Sequence, residues 1–223
     1  MNIFEILGPV MVGPSSSHTA GAVRIGLVTR RLLGEEPVRA RIGMCGSFLA
    51  TGKGHGTDRA LVAGLLGMHP DDERIPDSLR IAREAGLAVD FEAANIQDAH
   101  PNTALLDVWG SEGRELKVQA SSTGGGLIMV NRIDDIDVNC TCESPTLIVH
   151  NMDVPGHVAA VTAMLSEHKV NIAQMSLYRD RRGGHAVMVI ETDEPIPAGD
   201  LDHLRQMPGV TKVTYINVGN EIV

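Results

Sequence analysis

A short polar stretch near the start of the chain, GPSSSHTAGAVRIG at residues 13–26, has the side chains of a ligand site. Its polar members are Ser15, Ser16, Ser17, His18 and Thr19. Pro14 stops a helix from extending backwards, and a serine can cap the helix that follows. The free N–H groups and positive dipole end of that helix favour a carboxylate or a phosphate. Capping needs only one of these side chains, so we favour a binding or catalytic role over simple capping.

A second stretch, ATGKGHGTDRALVAG at residues 50–64, alternates glycines with Lys53 and His55. Glycines such as Gly54 allow a backbone to approach a ligand closely, and Thr57 stands where a second helix begins. The stretch is not a phosphate-binding loop, because Lys-Ser/Thr does not follow the final glycine directly. We predict a loop that brings His55 to a helix N-terminus, and a merely flexible loop is the alternative.

Two further regions have polar residues that are weaker candidates for a binding site. ASSTGGGLIMVN at residues 120–131 predicts a polar loop between strands, which a wide turn explains equally well. HNMDVPGHVAAV at 150–161 and KVNIAQMS at 169–176 surround a predicted helix start that can hold a carboxylate while Asn or Asp takes an amine. A capped turn explains these residues equally well. The candidates are Asn151, Asp153, Gly156, Asn171 and Ile172.

The predicted helices and strands that carry these residues fall into two domains, with a boundary near residue 142. Before it, the patterns predict an α+β domain (1–142) with an antiparallel sheet. Its helices are predicted at 19–33, 57–67 and 79–85, and its strands at 39–46, 88–93, 102–109, 114–121 and 127–132. After it, a second domain (146–223) has the order β-α-β-β-α-β, the ferredoxin-like split βαβ arrangement. Its strands are predicted at 146–150, 171–178, 185–192 and 210–217, with helices after Pro155 and at 198–206.

Composition excludes several classes of function. The net charge of −9, from 19 basic and 28 acidic residues, disfavours nucleic-acid binding. One Trp, two Tyr and three Phe are too few for base stacking. No apolar run is long enough to cross a membrane, and the N-terminus lacks the basic region of a signal peptide. We therefore expect a cytoplasmic protein that binds neither nucleic acid nor membrane.

Three cysteines, Cys45, Cys140 and Cys142, are expected to be thiols in such a compartment. A metal site normally needs three or four ligands at suitable spacings, and the sequence contains no such set. We predict no metal site on this chain.

The C-terminal motifs resemble a known regulatory domain. Asp153-x-Pro155-Gly156 with Asn171-Ile172 and the β-α-β-β-α-β order resembles the ACT domain over residues 146–223. The resemblance implies a unit that binds an amino acid or self-associates to regulate a metabolic enzyme.

The N-terminal motifs carry a sharper resemblance. GPSSSHT at 13–19 with GKGHGT at 52–57 resembles the β chain of bacterial iron–sulfur-dependent L-serine dehydratase, and the resemblance runs through the whole chain. The β domain of that family is also similar to an intervening domain of some phosphoglycerate dehydrogenases. The resemblance implies one subunit of a lyase that converts L-serine to pyruvate and ammonia without pyridoxal phosphate. It also implies an α-chain partner whose cysteines hold a 4Fe–4S cluster.

The resemblance gives the first two stretches two possible uses. His18 and His55 are expected to be catalytic at the interface with the α chain, or the stretches form an effector pocket for serine. Either use assigns binding to Ser15, Ser16, Ser17, Thr19, Lys53, Gly54 and Thr57. The rival class is a non-catalytic amino-acid-sensing module. A dehydrogenase fragment is disfavoured because G-x-G-x-x-G does not follow a strand.

Overall fold

The computed structural model of the chain describes residues 10–217, apart from the side chain of Lys53. The chain forms two compact units that divide between Asp134 and Asp135, earlier than the predicted boundary at 142. None of the described helices is long and apolar enough to cross a membrane.

The first unit has the predicted α+β composition. Its helices are α1 (Ala22–Leu33), α2 (Gly46–His55), α3 (Thr57–Leu65) and α4 (Ser78–Glu84), and a 3₁₀ turn covers Ile75–Asp77. Its strands are β1 (Pro37–Met44), β2 (Ala88–Ala93), β3 (Thr103–Gly110), β4 (Glu115–Gly124) and β5 (Leu127–Ile133). They lie in the order β2-β1-β3-β4-β5.

The sheet of the first unit is mixed rather than wholly antiparallel. β1 pairs in parallel with β2, whereas β1 with β3, β3 with β4 and β4 with β5 are antiparallel. The parallel pair is possible because α2, α3 and α4 lie between β1 and β2 and make a crossover connection. β3, β4 and β5 follow one another through short turns.

Three of the predicted boundaries near the polar stretches were wrong. The first helix does not begin at residue 19, because a π-helical segment, Ser16–Gly21, precedes α1 without a break. Residues 50–55 are not a loop but the second half of α2. The predicted loop at 121–123 belongs to β4, and the turn that follows uses Gly125 and Gly126 at φ +61° and +84°.

Two glycines let α1 and α3 approach each other closely. A methyl group at Gly26 would overlap the carbonyl oxygen of Leu61, and one at Gly64 would overlap that of Val23. The helices therefore pack backbone against backbone, with Leu61 and Val23 fully buried. This contact fixes α3, whose first residue is Thr57, against the helix that continues from the π-helical segment.

The second unit has the predicted ferredoxin-like topology. After β6 (Ile136–Cys140), the elements are β7 (Thr146–Met152), α5 (His157–Glu167), β8 (Ile172–Arg179), β9 (His185–Thr192), α6 (Ala198–Gln206) and β10 (Val210–Ile216). The antiparallel sheet has the order β10-β7-β9-β8. Its core includes Leu147, Val149, Val161, Leu165, Met188 and Ile190. On α5, Val161 and Leu165 are buried in this core, whereas Val158 is 40% exposed.

Candidate functional site

His18 lies at the centre of a small polar cluster in the first unit. Its Nε2 atom is 3.0 Å from the Ser47 hydroxyl, and its Nδ1 atom is 3.4 Å from the Ser15 hydroxyl. The His55 ring meets it edge to face, with 4.9 Å between ring centroids, and the buried Phe48 ring lies on it at 5.4 Å. The two histidines that the sequence singled out are therefore neighbours.

Ser15 is the residue that caps the helical run. Its backbone is extended, with φ −144°, and its hydroxyl accepts a hydrogen bond from the His18 backbone N–H at 3.2 Å. The Thr19 N–H donates to the Ser15 carbonyl at 2.8 Å. One serine thus provides the cap, as argued from the sequence, and it also holds the His18 ring from one side. π-helical turns of this kind are found disproportionately at functional sites.

The surroundings of His18 favour its neutral form. Burial lowers the pKa of His18 below 6.5, the neighbouring His55 lowers this pKa further, and a hydrogen bond to Ser47 opposes the shift. A charged imidazolium is harder to solvate in this half-buried position. A neutral ring has one nitrogen that accepts a hydrogen bond, and hydroxyl groups stand beside both nitrogens.

His55 precedes a helix start, as the sequence predicted, but it lies at the end of another helix and not in a loop. It is the last residue of α2, and Gly56 at φ +70° then leads directly into α3. α2 persists through its glycines because its first turn is anchored: the Ser47 and Phe48 N–H groups donate to the Pro101 carbonyl, at 2.8 and 3.3 Å. Burial of Phe48 also stabilises α2 and opposes the roughly 1 kcal/mol that each interior glycine costs a helix. His55 remains exposed, so it is open to a ligand or a partner chain.

Three buried hydroxyl groups around this cluster have no hydrogen-bond partner among the described residues. They belong to Thr19, Thr57 and Ser122. Thr19 lies in the π-helical segment, and this segment contacts both α3, which carries Thr57, and β4, which carries Ser122. A methyl group at Gly21 would overlap the Ser122 hydroxyl, so the segment sits directly on β4. Buried polar groups without partners are uncommon and mark places where a ligand or water is expected.

The other predicted residues of this site are more exposed. Ser16 and Ser17 are half-buried in the π-helical segment, and their hydroxyls make no hydrogen bond to another described residue. Gly54 is exposed in α2 with open space on its Cβ side. Lys53 is in α2, but its side chain lies outside the described part of the chain.

Sequence reasoning missed Ser47, Phe48 and the special position of Ser122. Ser47 and Phe48 are the second and third residues of α2, and nothing in their local sequence marks them as neighbours of His18. The sequence placed Ser122 in a predicted loop together with Ser121, but only the Ser121 hydroxyl has hydrogen-bond partners among the described residues. The Ser121 hydroxyl is 2.8 Å from that of Thr103 and 2.7 Å from the Asn131 side-chain oxygen.

In the second unit, the Asp153 carboxylate already accepts hydrogen bonds from other residues of its own unit. Its Oδ2 atom accepts hydrogen bonds from the Gly183 N–H and the Arg179 guanidinium, both at 3.0 Å. These contacts lower its pKa, first through Gly183 and then through Arg179. Asp153 therefore fastens the turn between β8 and β9. Gly156, at φ +108°, is exposed at the start of α5.

The two Asn candidates differ in whether their side-chain atoms have hydrogen-bond partners. The Asn171 side-chain amide donates a hydrogen bond to the Asp193 carboxylate at 2.6 Å. The Asn171 backbone N–H donates to the Glu194 carboxylate at 2.8 Å. Asn151 is 3% exposed and donates to the Met152 carbonyl at 2.7 Å, but its side-chain oxygen has no partner among the described residues. Of the two, only Asn151 has a buried polar atom without a partner among the described residues.

The five candidates of the second unit do not form one site within a single chain. Met152 pairs with His185 at one end of β9, and Ile172 pairs with Thr192 at its other end. Asn151, Asp153 and Gly156 thus lie at one end of the sheet, and Asn171 with Ile172 lies at the other. The length of β8 separates the two groups by roughly 20 Å. Ile172 itself packs against the core.

The cysteines do not form a cluster-binding set in the part of the chain that the structure describes. Cys45 is buried in the first unit, whereas Cys140 and Cys142 are buried in the second. No group of three or more His, Cys, Asp or Glu side chains there is arranged to hold a metal ion. The residues present do not fit a 4Fe–4S cluster, which needs four thiolates or their equivalents.

Known proteins share both units of this chain. The serine dehydratase beta chain family matches residues 2–83, and the ACT domain family matches residues 145–209. The probable L-serine dehydratase, beta chain, of Bacillus subtilis (strain 168) is 40% identical over 215 residues, which cover 96% of this chain and 97% of that protein. This chain belongs to the L-serine dehydratase beta-chain family.

A second member of the family shows the same extent of similarity. The L-serine dehydratase, beta chain, of Peptoniphilus asaccharolyticus is 34% identical over 216 residues, 96% of this chain and 97% of that protein. The L-serine dehydratase of Streptomyces coelicolor is 32% identical over 153 residues, 58% of this chain but 33% of that longer protein. The resemblance drawn from the motifs at 13–19, 52–57 and 153–172 is confirmed at the level of family.

Proposed function

We propose that this chain is the β subunit of a two-chain L-serine dehydratase, a lyase that converts L-serine to pyruvate and ammonia. The observation that carries the proposal is the pairing of a neutral, hydroxyl-flanked His18 with an exposed His55. Family membership supports the reaction, and the geometry supports a place for these two side chains in it. A beta chain implies an alpha chain as its partner.

The proposed role of His18 is to accept or hold a proton. Dehydration of serine requires loss of the α-proton and departure of the β-hydroxyl, so a group that takes up a proton near neutral pH is needed. The lowered pKa of His18 keeps it in the accepting form. Exposed His55 lies on the open side of the cluster, where the α chain or the substrate can reach it.

The unpartnered hydroxyls of Thr19, Thr57 and Ser122 support the binding part of the proposal. Hydroxyls can donate to a carboxylate or accept from an ammonium group, the two charged groups of serine. The start of the helical run at Ser16 adds a positive dipole end that favours the carboxylate. An effector pocket for serine would use the same groups, and it is the alternative use of this site.

We propose that the 4Fe–4S cluster of the enzyme is held by the α chain. Such a cluster supplies a Lewis acid for the departing hydroxyl, and the described cysteines of this chain do not fit it. The contribution of this chain is restricted to binding, orientation and proton transfer.

We propose that the second unit regulates the enzyme by self-association and amino-acid binding. β8 is an edge strand of its sheet, and its Leu177 is 48% exposed. If two copies pair antiparallel along β8, Ile172 of one copy lies beside Arg179 of the other. Arg179 contacts Asp153, so this pairing joins the two separated groups of candidate residues across two chains.

The pairing has a direct test in the full chain. Leu177→Lys places a charge on the exposed edge and is expected to reduce the apparent mass in analytical ultracentrifugation. Val38→Lys is the matched control, because Val38 is similarly exposed, at 42%, on the interior strand β1. An unchanged mass for Leu177→Lys would remove β8 pairing from the proposal.

Anaerobic reconstitution tests the function as a whole. The purified chain, the α chain and their mixture would each be given L-serine, and pyruvate and ammonia would be measured. We expect both products in equal amounts from the mixture and none from this chain alone. Equal turnover by the α chain with and without this chain would contradict a subunit role in catalysis and favour the sensing module.

A further inference from the structure

Two cysteines outside the candidate site are in contact with each other. The Sγ atoms of Cys140 and Cys142 are 3.1 Å apart, and both residues are thiols. Their exposed fractions are only 1% and 4%. The proposed dehydratase function makes no use of either thiol.

The local backbone creates this contact. Cys140 is the last residue of β6, and residues i and i+2 of an extended strand lie roughly 6–7 Å apart on the same face. Cys142 leaves the extended conformation with φ +55°, a region that residues other than glycine seldom adopt. This turn brings the second side chain back over the first. Such a conformation persists only where the surrounding structure holds it.

The two thiols are electrostatically unequal. A hydrogen bond from Cys142 lowers the pKa of Cys140 against the opposing effect of burial. The same hydrogen bond, with burial, raises the pKa of Cys142 well above its ordinary value. Glu191, which accepts from Thr141 at 3.2 Å, opposes a thiolate on either sulfur. When one proton leaves the pair, the thiolate forms on Cys140, and thiolates are the reactive form.

We propose that Cys140 and Cys142 are a redox-active pair that closes to an intrachain disulfide when the chain meets hydrogen peroxide. The Cys140 thiolate attacks one peroxide oxygen, the O–O bond breaks, and the leaving hydroxide takes up the proton that Cys140 has released, so that water forms. Cys140 is then a sulfenic acid. The Cys142 sulfur attacks the Cys140 sulfur, and the hydroxyl leaves with the Cys142 proton as a second water. Two thiols and one peroxide thus become one disulfide and two waters.

The position of the pair gives the disulfide a structural consequence. The segment after Cys142 is tied to the end of β9, because the Thr192 N–H donates to the Pro145 carbonyl at 2.9 Å. Thr141, between the two cysteines, contacts Glu191 on the same strand. A disulfide therefore fixes the approach to the central strand β7 within the second unit.

Peroxide treatment of the full-length chain tests the proposal. The reduced chain is exposed to increasing hydrogen peroxide, its remaining thiols are alkylated under denaturing conditions, and tryptic peptides are analysed by mass spectrometry. We expect the peptide that ends at Lys169, which contains both cysteines, to lose the mass of two hydrogens and to recover it with dithiothreitol. Cys45, a buried thiol in the first unit whose pKa burial raises, is the internal reference and should stay alkylated.

Single substitutions test the assigned roles. In Cys142→Ser, the sulfenic acid on Cys140 has no thiol to condense with and should be trapped by dimedone. In Cys140→Ser, Cys142 should give no dimedone adduct at the same peroxide dose. Full alkylation of all three thiols in the wild-type chain would overturn the proposal, as would sulfinic acid on Cys140 without a disulfide. A disulfide between two chains instead of within one would also overturn it.

Discussion

In the first unit, polar side chains from distant parts of the sequence lie close together, and several buried hydroxyls have no hydrogen-bond partner among the described residues. In the second unit, most of the polar candidates already form hydrogen bonds. His18 meets Ser15, Ser47 and His55, with unpartnered hydroxyls on the surrounding elements. Asp153 is held by its own chain. The same sequence feature, a helix start preceded by polar residues, thus produces a polar cluster with unpartnered hydroxyls in one unit and a turn held by its own hydrogen bonds in the other.

The two helix starts differ in the elements that surround them. The π-helical segment Ser16–Gly21 packs on β4, α2 and α3, which bring side chains to it from three directions. The start of α5 is exposed at Gly156, and among its candidates only Asn151 has a buried polar atom without a partner among the described residues. This contrast supports the proposal of chemistry in the first unit and of assembly or sensing in the second.

The largest expected effect comes from removing the His18 imidazole. His18→Gln keeps a hydrogen-bonding group near Ser47 but cannot take up a proton near neutral pH. In the reconstituted complex, kcat should fall by about 10²–10⁴-fold, the usual loss for an acid–base residue. His203→Gln is the matched control, since His203 is exposed on α6, and it should keep wild-type turnover. Unchanged kcat with an altered serine dependence would instead favour the effector pocket.

Gly64→Ala should disturb the framework of the first unit more than any exposed substitution. The added methyl group would overlap the Val23 carbonyl oxygen, and overpacking of this kind typically costs about 1–3 kcal/mol. Urea unfolding followed by circular dichroism measures the loss. Gly199→Ala in α6 is the control, because nothing lies within 4 Å of its new methyl group, and helix propensity predicts a gain of no more than about 1 kcal/mol. Equal behaviour of the two variants would show that α1 and α3 do not pack as closely as described.

A smaller effect is expected from Asp153→Asn, and it depends on pH. Because folding lowers the pKa of Asp153, its contribution to stability is complete above its ordinary value of 3.8 and is lost as the pH falls through its folded value. The variant should melt at a lower temperature than the wild type at neutral pH, and the gap should narrow in acid. Asp202→Asn, which breaks only an exposed pair with Arg205, should change the melting temperature little at either pH. A gap that persists undiminished in acid would contradict the structural role of Asp153.

Much of the fold follows from local patterns, because apolar periodicity and turn residues act over short distances. β2, β9 and α6 begin and end where the sequence predicts, since their boundaries are marked by glycine, proline and alternating side chains. The failure at 50–55 has a different cause. Glycines there argue for a loop, but the burial of Phe48 and the bonds to Pro101 stabilise a helix. Tertiary contacts of this kind are not visible in a local window.

The candidate site shows the same limit. His18 and His55 were recognisable as a pair of unusual histidines, but their contact depends on α2 being helical up to His55. Ser47 lies 29 residues from His18 in the chain, and nothing in its local sequence marks it as a partner. The opposite placement of Asp153 and Asn171 follows from strand register, which a single sequence leaves open.

The pKa of His18 decides whether the first unit holds a neutral, proton-accepting imidazole. Histidine ring signals of the full chain would be followed by ¹H–¹⁵N NMR across pH 4–9, with His18→Gln used for assignment. We expect His18 to titrate below 6.5, and to move upward in His55→Asn, because His55 contributes to lowering its pKa. Titration of His18 at or above 6.5, with no response to His55→Asn, would contradict the account.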